Sequence, residues 1–517
     1  MYIHAKTQSV LMHVPEPMLI RGVIPQSKIL DHTDYNVAVR HTIDSVRILR
    51  NMGYDVPAPI RTNYRWPGRY KPFSHQLDMA EFLTLNKRAF NLSEMGVGKS
   101  AAALWAADWM MENKIIKKAL ILSPLSTLER VWANDLFDVL MHRRVATVYG
   151  NRAQRLEALS RDVDFYILNH DGLGVGGVLE AIRTDPDINL VIVDEASMFR
   201  NAATKKYKNL VKILRDDMHL WLLTGTPCPN SPTDAWALAR LVNPSKVPQF
   251  FGAFRNMTMY KASQFKWSTK TDAYNIAFEA MQPAIRFKKA DCLDLPPVIT
   301  MSRQSTLTKE QEDAYKSMLN FMIAEAKEQQ ITAVNAADKI NKLRQILCGV
   351  VKDTETGEYV EIPHEPRVEV LLEAIESASA KVIVVVPFKG IINTLEKKIS
   401  KHYSCAVLNG DVSPKKRNDI IRAFKETPDP HILLCHPKVM AHGLNLTEAD
   451  TLIFYAPIYS NDEFQQVTER FNRTGQTRKM TIVKLGSHPL DWRIYKMVED
   501  KRLTQEGILG LYSSIIE

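Results

Sequence analysis

A glycine-rich segment near residue 100 has the residue types that phosphate binding requires. NLSEMGVGKS, residues 91–100, stands directly before an alanine-rich stretch typical of a helix, and its key residues are Gly96, Gly98, Lys99 and Ser100. Glycines let backbone N–H groups approach phosphate oxygens, and a helix amino terminus favours negative charge. The lysine would reach the outer phosphates and the serine hydroxyl would ligate magnesium. Ser93 stands where the strict pattern has glycine, so a plain turn before a helix is the alternative to a nucleotide site.

Two carboxylates follow an apolar run further along the chain. In VIVDEAS, residues 191–197, Asp194 and Glu195 stand at the carboxyl end of this run, where open parallel sheets bind their ligands. We predict that Asp194 holds magnesium, directly or through water, and that Glu195 orients and deprotonates an attacking water. The alternative is an acidic pair at a helix amino terminus that only interacts favourably with the helix dipole. The upstream phosphate loop favours the catalytic interpretation.

Two further segments fit the same chemistry. LLTGTP, residues 222–227, places Thr224 and Thr226 at the end of another strand, where they are suited to relay the nucleotide state to a bound ligand. PFSHQ, residues 72–76, lies upstream of the phosphate loop, and the amide of Gln76 has a donor and an acceptor for an adenine edge. Alone, each would be a turn or a surface glutamine, so their order along the chain gives them weight.

Short apolar runs alternate with helix-like stretches in two parts of the chain. The first set is ALILSP (119–124), FYILNH (165–170), LVIVDEA (190–196) and LWLLTGTP (220–227). The second set is KVIVVVPF (381–388), CAVLNG (405–410), HILLCHP (431–437), TLIFYAP (451–457) and TIVKLG (481–486). Strands that are apolar throughout and alternate with helices are typical of parallel sheets buried on both faces. We therefore predict an α/β fold with two lobes.

The rest of the chain divides around these lobes. Residues 1–65 have mixed strand and helix signals and lead into a proline-rich connector, which predicts a small N-terminal accessory domain. We assign residues 66–230 to the first lobe and 366–517 to the second lobe with a C-terminal helix. The charged, mostly helical stretch 231–365 is predicted to form helical insertions and a linker.

Composition sets broad limits. The chain has 517 residues, 45% of them hydrophobic, and a net charge of +9 that is spread along its length, which agrees with a polyanion partner without requiring one. The five cysteines stand singly, so neither a disulfide framework nor a zinc ribbon is indicated. No apolar run approaches the ~18 residues of a membrane helix and no signal peptide is recognisable, so we expect an intracellular protein without a membrane partner.

One segment near the end gives no clear signal by itself. QQVTERFNRTGQTRK, residues 465–479, has Arg470 and Arg473 three positions apart, a spacing that places two side chains on one face of a helix. A solvated surface would have the same pattern.

The motifs together resemble the superfamily-two helicase motors and, within them, the Swi/Snf-like ATPases. They are FSHQ, EMGVGKS, LSPLSTLERVW, VDEAS, LTGTP, VPFKG, GLNLTEAD and QVTERFNRTGQ, in that order over about residues 70–495. RFKKADCLDLPP, LTKEQEDAYKSML, INKLRQILCG and LNGDVSPKKRNDIIRAF resemble segments specific to that class. HPKVMAHGLNL departs from the usual glycine run and is similar to compact phage and prophage members. The resemblance therefore implies a phage or bacterial source and a cytoplasmic location.

The resemblance also implies two RecA-like lobes that use ATP and Mg²⁺. The implied nucleotide-binding residues are Gln76, Glu94, Met95, Gly96, Val97, Gly98, Lys99, Ser100, Gly443 and Gln466. The implied catalytic residues are Lys99, Asp194, Glu195, Arg470 and Arg473, with Ser100 and Asp194 on magnesium. An arginine from the second lobe would contribute ~10³ to 10⁵ in rate, and hydrolysis would then depend on closure of the lobes.

The implied function is ATP-driven translocation on double-stranded DNA. Contacts should go to backbone phosphates because a translocase must not prefer one sequence. The implied contacts are Pro124, Ser126, Asn169 and His170 in the first lobe and Phe388, Lys389, Asn409, Gly410 and Lys438 in the second. For each of them the alternative is a capping or surface residue. Double-stranded or branched DNA is the expected partner, and a monomer suffices for catalysis.

Other functions stay open. The first alternative is a strand-separating helicase; an ATP-dependent clamp or a simple P-loop kinase fits the complete hydrolysis set and the second lobe less well. Residues 1–65 are loosely similar to the lead-in of annealing-helicase relatives and could equally form a docking or DNA-gripping domain. The sequence names no protein partner and does not distinguish fork remodelling, branch migration and protein displacement.

Overall fold

The computed structural model divides the chain into two compact units, Met1–Cys292 and Leu293–Glu517. It describes residues 1–4, 6–228, 231–262, 267–292, 298–328, 332–353, 356–440, 446–472, 476, 478–500 and 505–516. Within these ranges, no helix combines the length and the apolar character that crossing a membrane requires.

The first unit begins with a small antiparallel sheet and three helices. The elements are β1 (Tyr2–His4), β2 (Ser9–Met12), α1 (Pro17–Val23), β3 (Lys28–Ile29), β4 (Val37–Arg40), α2 (Ile43–Asn51) and α3 (Ile60–Asn63). The sheet order is β1-β2-β4-β3. Val10, Val37 and Val39 are fully buried with Val46 and Leu49 of α2, so alternate strand residues form one apolar face.

The predicted first lobe follows. Its elements are α4 (Ser74–Leu85), β5 (Arg88–Asn91), α5 (Lys99–Glu112), β6 (Lys118–Ser123), α6 (Asn134–Val139), β7 (Val145–Val148), α7 (Arg152–Ser160), β8 (Phe165–Asn169), α8 (Val178–Thr184), β9 (Ile188–Asp194), α9 (Lys205–Ile213) and β10 (His219–Leu223). All strands that the apolar runs predicted in this lobe are present. Two more, β5 and β7, were not identified from the sequence.

The remaining elements of the first unit pack against this lobe. They are α10 (Ala235–Val242), α11 (Phe251–Thr258), β11 (Met259–Lys261), β12 (Trp267–Thr269), α12 (Ala273–Ala280), β13 (Ala284–Ile285) and α13 (Lys289–Cys292). Helices α10 and α12 contribute Leu238 and Ala277 to the core below the sheet. The stretch predicted as insertions and linker is thus divided between the two units, while the predicted domain boundaries stay predictions.

The main sheet of the first unit is parallel throughout and runs β13-β5-β10-β9-β6-β8-β7. Its register aligns the carboxyl ends of the strands that carry the motifs. Leu223 at the end of β10 pairs with Asn91 of β5 on one side and with Asp194 of β9 on the other. On the far side of β9, Ser123 of β6 pairs with Asn169 of β8. Because neighbouring strands lie ~4.8 Å apart, the predicted phosphate loop and the acidic pair begin two strands apart at one edge.

The N-terminal segment shares a core with the first lobe. The buried cluster that contains Val10 and Leu49 continues into Met79 and Leu83 of α4 and Ala103 of α5. The expected accessory domain is therefore packed onto the two helices that flank the predicted phosphate loop.

The second unit is built on another parallel sheet. Its elements are β14 (Val298–Gln304), α14 (Lys309–Glu328), α15 (Ala333–Cys348), β15 (Val350–Lys352), β16 (Tyr359–Glu361), α16 (Glu365–Glu376), β17 (Lys381–Val385), α17 (Lys389–Ile399), β18 (Cys405–Leu408), α18 (Pro414–Glu426), β19 (Ile432–Cys435), α19 (Pro437–Met440), β20 (Ala449–Phe454), α20 (Asn461–Phe471), β21 (Met480–Gly486), α21 (Pro489–Glu499) and α22 (Gln505–Ile516). The sheet order is β14-β21-β20-β17-β19-β18. The predicted α/β fold with parallel sheets is confirmed.

One strand of this sheet was assigned to a mostly helical stretch. The segment β14 pairs in parallel with β21 over its full length, from Val298 with Met480 to Gln304 with Gly486. Its residues are largely exposed, because it is the edge strand. An edge strand needs no continuous apolar run, so the pattern that identified the central strands did not mark it.

Candidate active site

The phosphate loop has the backbone geometry that its glycines allow. Gly96 and Gly98 have φ angles of +83° and +85°, which L side chains rarely adopt. Helix α5 begins at Lys99, directly after Gly98. A Cβ at Gly98 would lie 1.9 Å from Nε2 of Gln76, so only glycine fits between this loop and α4. The loop therefore combines a left-handed glycine backbone with a helix start, which is the fit that a polyphosphate requires.

Ser93 explains why the loop can depart from the strict glycine pattern. Its side chain is fully buried, and its Oγ accepts a hydrogen bond from the backbone N–H of Phe287 at 3.0 Å. The carboxylate of Glu94 accepts from the N–H of Lys289 at 2.9 Å. The loop is thus anchored to the chain just after β13, and the side chain of Glu94 is committed to that anchor.

Lys99 lies across the loop that it follows. Its ammonium group donates to the carbonyl oxygens of Ser93 and Glu94 at 2.8 and 3.0 Å. The ammonium group is thus held inside the loop, and its contact with the outer phosphates of a nucleotide stays a prediction. Met95 of the phosphate loop lies next to the loop that follows β10, since a Cβ at Gly225 would come within 3.3 Å of the Cγ of Met95.

Gln76 is turned toward the loop. Its Oε1 accepts from the N–H of Phe73 at 3.0 Å and its Nε2 donates to the carbonyl of Val97 at 3.4 Å. His75 also reaches that carbonyl, with its Nε2 at 2.9 Å. The oxygen and the nitrogen of the Gln76 side-chain amide therefore both have partners within the chain. Recognition of adenine by this residue stays a prediction.

The acidic pair lies at the end of β9 in a constrained geometry. Glu195 has a φ of +48° and a ψ of +50°, a left-handed conformation that a non-glycine residue adopts at a cost and that clusters at functional sites. Oδ1 of Asp194 accepts from the N–H of Glu195 at 3.0 Å. Its Oδ2 accepts from the indole N–H of Trp132 at 2.9 Å. The carboxylate of Asp194 and the hydroxyl of Ser100 are oxygen donors of the kind that Mg²⁺ prefers.

The predicted coupling residues lie between the phosphate loop and the acidic pair. Thr224 is buried, and its N–H donates to the carbonyl of Asn91 at 3.1 Å. Its Oγ1 accepts from the N–H of Thr226 at 3.2 Å. This loop follows β10, the strand that separates β5 from β9, and its role in coupling stays a prediction.

The predicted DNA contacts of the first unit follow β6 and β8. Asn169 and His170 are buried, with exposed fractions of 8% and 3%. Oδ1 of Asn169 accepts from Nη1 of Arg155 at 3.0 Å. Pro124 is half-buried, and the side chain of Ser126 lies outside the described groups. The side chains of Asn169 and His170 are thus engaged inside the protein, and the DNA contacts of this segment stay predictions.

His170 also contacts the acidic pair. Burial lowers the pKa of His170 to about 4, even though the nearby carbonyl of Asp194 raises it, so the ring is neutral near pH 7. Its Nε2 lies 2.9 Å from that carbonyl oxygen. Since a carbonyl only accepts, Nε2 carries the proton.

The second unit has a basic edge formed by the ends of three adjacent strands, β17, β19 and β18. Lys389 and Lys438 are exposed there, and both positive charges lower the pKa of half-buried His436, although burial is the largest cause. Lys389 pairs with Asp411 at 2.7 Å. Asn409 is buried, and its Oδ1 accepts from the N–H of Asp411 at 3.0 Å.

Gly410 and Phe388 complete this edge. Gly410 is exposed, and a Cβ there would touch the ammonium end of Lys389 at 3.9 Å. The guanidinium of Arg344 lies 5.0 Å from the ring centroid of Phe388. Nη1 of Arg344 donates to Asn341 at 2.6 Å. The sequence did not indicate Arg344, because the contact joins α15 to the residue before α17.

Only one member of the predicted arginine finger pair lies among the described residues. Helix α20 ends at Phe471, so Arg470 is in its last turn. Nε of Arg470 is buried and has no hydrogen-bond partner among the described residues. Gln466 lies one turn earlier and is half-buried. Arg473 and Gly443 lie outside the described residues.

Trp132 is the main site residue that sequence reasoning missed. It is fully buried, and its motif, LSPLSTLERVW, was recognised without a role for the tryptophan. A large aromatic residue at the end of a recognised motif was the available signal.

The chain was also compared with known proteins. Residues 90–355 match the SNF2-related domain and residues 366–475 match the helicase conserved C-terminal domain. An uncharacterized ATP-dependent helicase of Mycoplasma genitalium is 25% identical over 422 residues, which cover 79% of this chain and 39% of that protein. The putative protein p41 of Acyrthosiphon pisum secondary endosymbiont phage 1 is 25% identical over 431 residues, which cover 80% of this chain and 89% of p41.

A solved structure is also similar. The Sulfolobus solfataricus SWI2/SNF2 ATPase core in complex with dsDNA is 22% identical, with a TM-score of 0.42, and the match covers 87% of this chain and 96% of that one. The chain spans about two fifths of the Mycoplasma relative, at 39% of its length. Because the family match extends over half of the chain and includes the phosphate loop and the acidic pair, this protein belongs to the SNF2-related family of helicase-type ATPases.

Proposed function

We propose that this protein hydrolyses ATP with Mg²⁺ and uses the energy to move along double-stranded DNA. The observation that carries the proposal is the row at one sheet edge, where Asn91, Leu223 and Asp194 stand side by side. The row places the phosphate loop, the threonine loop and the acidic pair on three adjacent strands. Such convergence is the arrangement that nucleotide hydrolysis requires.

Each group has a distinct role at this edge. Lys99 would exchange the carbonyls of Ser93 and Glu94 for phosphate oxygens, at little cost in reorganisation because its ammonium is already in the loop. Glu195 would orient the attacking water and accept its proton. Mg²⁺, held by Ser100 and Asp194, would neutralise charge on the phosphates. Arg470 and Arg473 are proposed to stabilise the transferred phosphoryl group.

DNA is proposed to lie along the carboxyl-end edges of the two sheets. In the second unit, exposed Lys389 and Lys438 flank an edge that includes Gly410, whose missing side chain allows a close approach of backbone. Ammonium groups and backbone N–H groups recognise phosphate and not base identity. Binding is therefore expected to be indifferent to sequence and to weaken as salt increases.

The nucleotide site is tested by Lys99→Ala, with Lys117→Ala as the matched control. Lys117 is an exposed lysine paired with Asp187 on the same unit. Lys99→Ala should reduce ATP turnover at least ~10²-fold through lost transition-state stabilisation, and the control should keep it. Turnover that survives in Lys99→Ala contradicts the site.

The polymer is tested by comparing nucleic acids. Duplex DNA should stimulate ATP hydrolysis more than single strands or RNA, and the protein should displace the third strand of a triplex without opening a forked duplex. Unwinding of the fork would favour a strand-separating helicase instead. Stimulation by RNA above duplex DNA would contradict the proposal, and branched substrates would separate fork remodelling from branch migration.

The basic edge is tested by Lys389→Ala and Lys438→Ala, with Lys425→Ala as an exposed control on α18. Each edge variant should weaken duplex binding for all sequences and reduce the slope of affinity against salt by about 1. The control should change neither quantity. An edge variant with unchanged affinity and slope would remove that lysine from the DNA path.

A further inference from the structure

We infer that Trp132 and His170 are positioning residues that connect the DNA edge of the first unit to Asp194. The DNA edge is the carboxyl ends of β6 and β8, with Pro124 and Asn169. The inference rests on the proposed function, because it concerns how duplex DNA stimulates ATP hydrolysis. It assigns Trp132 and His170 a role other than direct contact with nucleotide or DNA, although the sequence led us to expect His170, which is buried, as a DNA contact.

Trp132 holds the carboxylate of Asp194 from one side. The indole N–H donates to Oδ2 at 2.9 Å, across 62 positions of the chain. An indole has one donor and no acceptor, and a carboxylate oxygen has two lone pairs. The contact therefore fixes the orientation of Oδ2 and leaves a lone pair for a magnesium ion or its water. Groups that orient a metal ligand in this way change metal affinity or activity by 10 to 100-fold when they are lost.

His170 holds the backbone of the same residue. Its Nε2–H donates to the carbonyl of Asp194 at 2.9 Å, directly before the left-handed turn at Glu195. The ring is fixed in turn by an edge contact with Phe199, with centroids 4.9 Å apart. Side chain and backbone of Asp194 are thus each held by one buried aromatic or imidazole group.

Both positioning groups come from segments at the proposed DNA edge. Trp132 lies in a π-helical turn, Leu128–Ala133, that begins four residues after Pro124. Thr127 joins the two parts, since its Oγ1 donates to the carbonyl of Pro124 at 3.0 Å. His170 directly follows Asn169, at the end of the neighbouring strand. A phosphate backbone that binds at Pro124 and at this strand end would therefore act on both contacts to Asp194.

The turn that carries Trp132 is suited to transmit a displacement. A π-helical turn is rare and occurs frequently at functional sites. Trp132 is fully buried, so it moves only with its turn. Catalytic geometry is sensitive to ångström-scale misplacement, and a small shift of this turn would change how Asp194 presents its oxygens.

The test uses Trp132→Phe in the full chain, with Trp221→Phe as the matched control. Phenylalanine keeps most of the aromatic volume and removes the N–H. Trp221 is also fully buried in the first unit, and its indole donates to the carbonyl of Asn86 at 3.1 Å, at the opposite end of the sheet. The measured quantities are the ratio of DNA-stimulated to basal turnover and the half-saturating Mg²⁺ concentration in an equilibrium titration with a non-hydrolysable ATP analogue.

Trp132→Phe should lower the stimulation ratio and raise the half-saturating Mg²⁺ concentration, with a combined loss of ~10-fold or more. Duplex DNA affinity should stay unchanged. Trp221→Phe should leave both quantities at wild-type values, even if its melting temperature falls as much as that of Trp132→Phe. Wild-type values of ratio and Mg²⁺ dependence in Trp132→Phe would overturn the inference.

A second pair of variants tests His170 independently. His170→Gln keeps an N–H donor and should retain at least part of the stimulation, whereas His170→Leu should lose it. Equal stimulation in the two variants would contradict the role of the hydrogen bond. A wild-type protein without any DNA stimulation would instead refute the proposed function, so the two failures are distinct.

Discussion

The phenol of Tyr64 donates a hydrogen bond to Oδ2 of Asp108 at 2.6 Å. Asp108 is fully buried on α5, the helix that begins at Lys99, and its Oδ1 also accepts from Nε of Arg143 at 2.5 Å. The contact ties the segment before α4 to the helix of the phosphate loop. Burial and the carboxylate of Asp108 raise the pKa of Tyr64, so the phenol keeps the proton that it donates.

Tyr64→Phe should reduce the free energy of unfolding of the first unit by about 2 kcal/mol, because a buried carboxylate loses one donor. Chemical denaturation measures the change. Tyr260→Phe, at a tyrosine with an exposed fraction of 51%, should change stability by less than about 0.5 kcal/mol. Equal effects of the two substitutions would mean that the contact with Asp108 contributes nothing.

Glu81→Gln should destabilise the same unit more strongly. Oε1 of this buried carboxylate accepts from the N–H of Ala58 at 2.8 Å, and its two oxygens also bind Arg50 and Arg61. Removing the charge leaves Arg50 without its carboxylate partner and leaves Arg61 with Asp78 alone, at a cost of about 3 kcal/mol. Glu180→Gln removes an exposed ion pair with Arg183 and should have no measurable effect. A loss confined to Glu180→Gln would contradict this assignment.

Gly98→Ala should weaken ATP binding at least ~10-fold, because a new Cβ meets the amide of Gln76 and a strained φ costs ~1 to 3 kcal/mol. Nucleotide titration measures the affinity. Gly53→Ala is the control: Gly53 has a φ of +90° with nothing within 4 Å, so it carries the same strain without the clash. The control should lose stability and keep ATP affinity. If both variants bind ATP with the same affinity, the close contact between Gly98 and Gln76 is not part of the nucleotide site.

Arg470→Ala should reduce ATP turnover ~10³-fold or more while duplex binding persists. Arg473→Ala is predicted to behave in the same way. The control is Arg422→Ala, at an exposed arginine on α18 that pairs with Asp419. If DNA binding collapses and turnover survives, the stretch 465–479 belongs to the DNA path and not to the catalytic set.

Stability should fall in mild acid partly because of His219, at the start of β10. Burial and, to a smaller extent, the charges of Lys87 and Arg47 lower the pKa of His219 to about 4, although the carbonyl of Asn189 raises it. The unfolded chain, with a pKa near 6.5, binds the proton more readily. The stabilising contribution is therefore complete above pH 6.5 and is lost as pH falls toward 4.

His219→Gln should reduce this acid-dependent loss by about 2 kcal/mol, after allowance for partial exposure. Unfolding free energies at pH 7 and pH 4.5 provide the measurement. Buried His170 titrates in the same direction, so some acid dependence should remain. An unchanged difference between the two pH values would show that His219 is protonated equally in both states.

The central strands were predictable because burial on both faces demands a continuous apolar run. Leu190 to Val193 of β9 satisfy this demand, and all four are buried. Edge strand β14 is largely exposed, so its sequence has no continuous apolar run and did not predict a strand. A short local pattern identified Gly96, Gly98 and Lys99. The backbone conformation requires glycine at the first two positions, and phosphate binding requires a positive charge at the third.

The sequence alone determined the family, the two parallel sheets and the residues of the phosphate loop and acidic pair, because each depends on local periodicity or on residue types at fixed spacing. Only the tertiary structure decided that Ser93 anchors its loop on Phe287, that Trp132 and His170 hold Asp194, and that α20 ends at Phe471. These are contacts between distant segments or ends of elements, and they depend on how the sheet brings strand ends and side chains together. No local pattern encodes that packing.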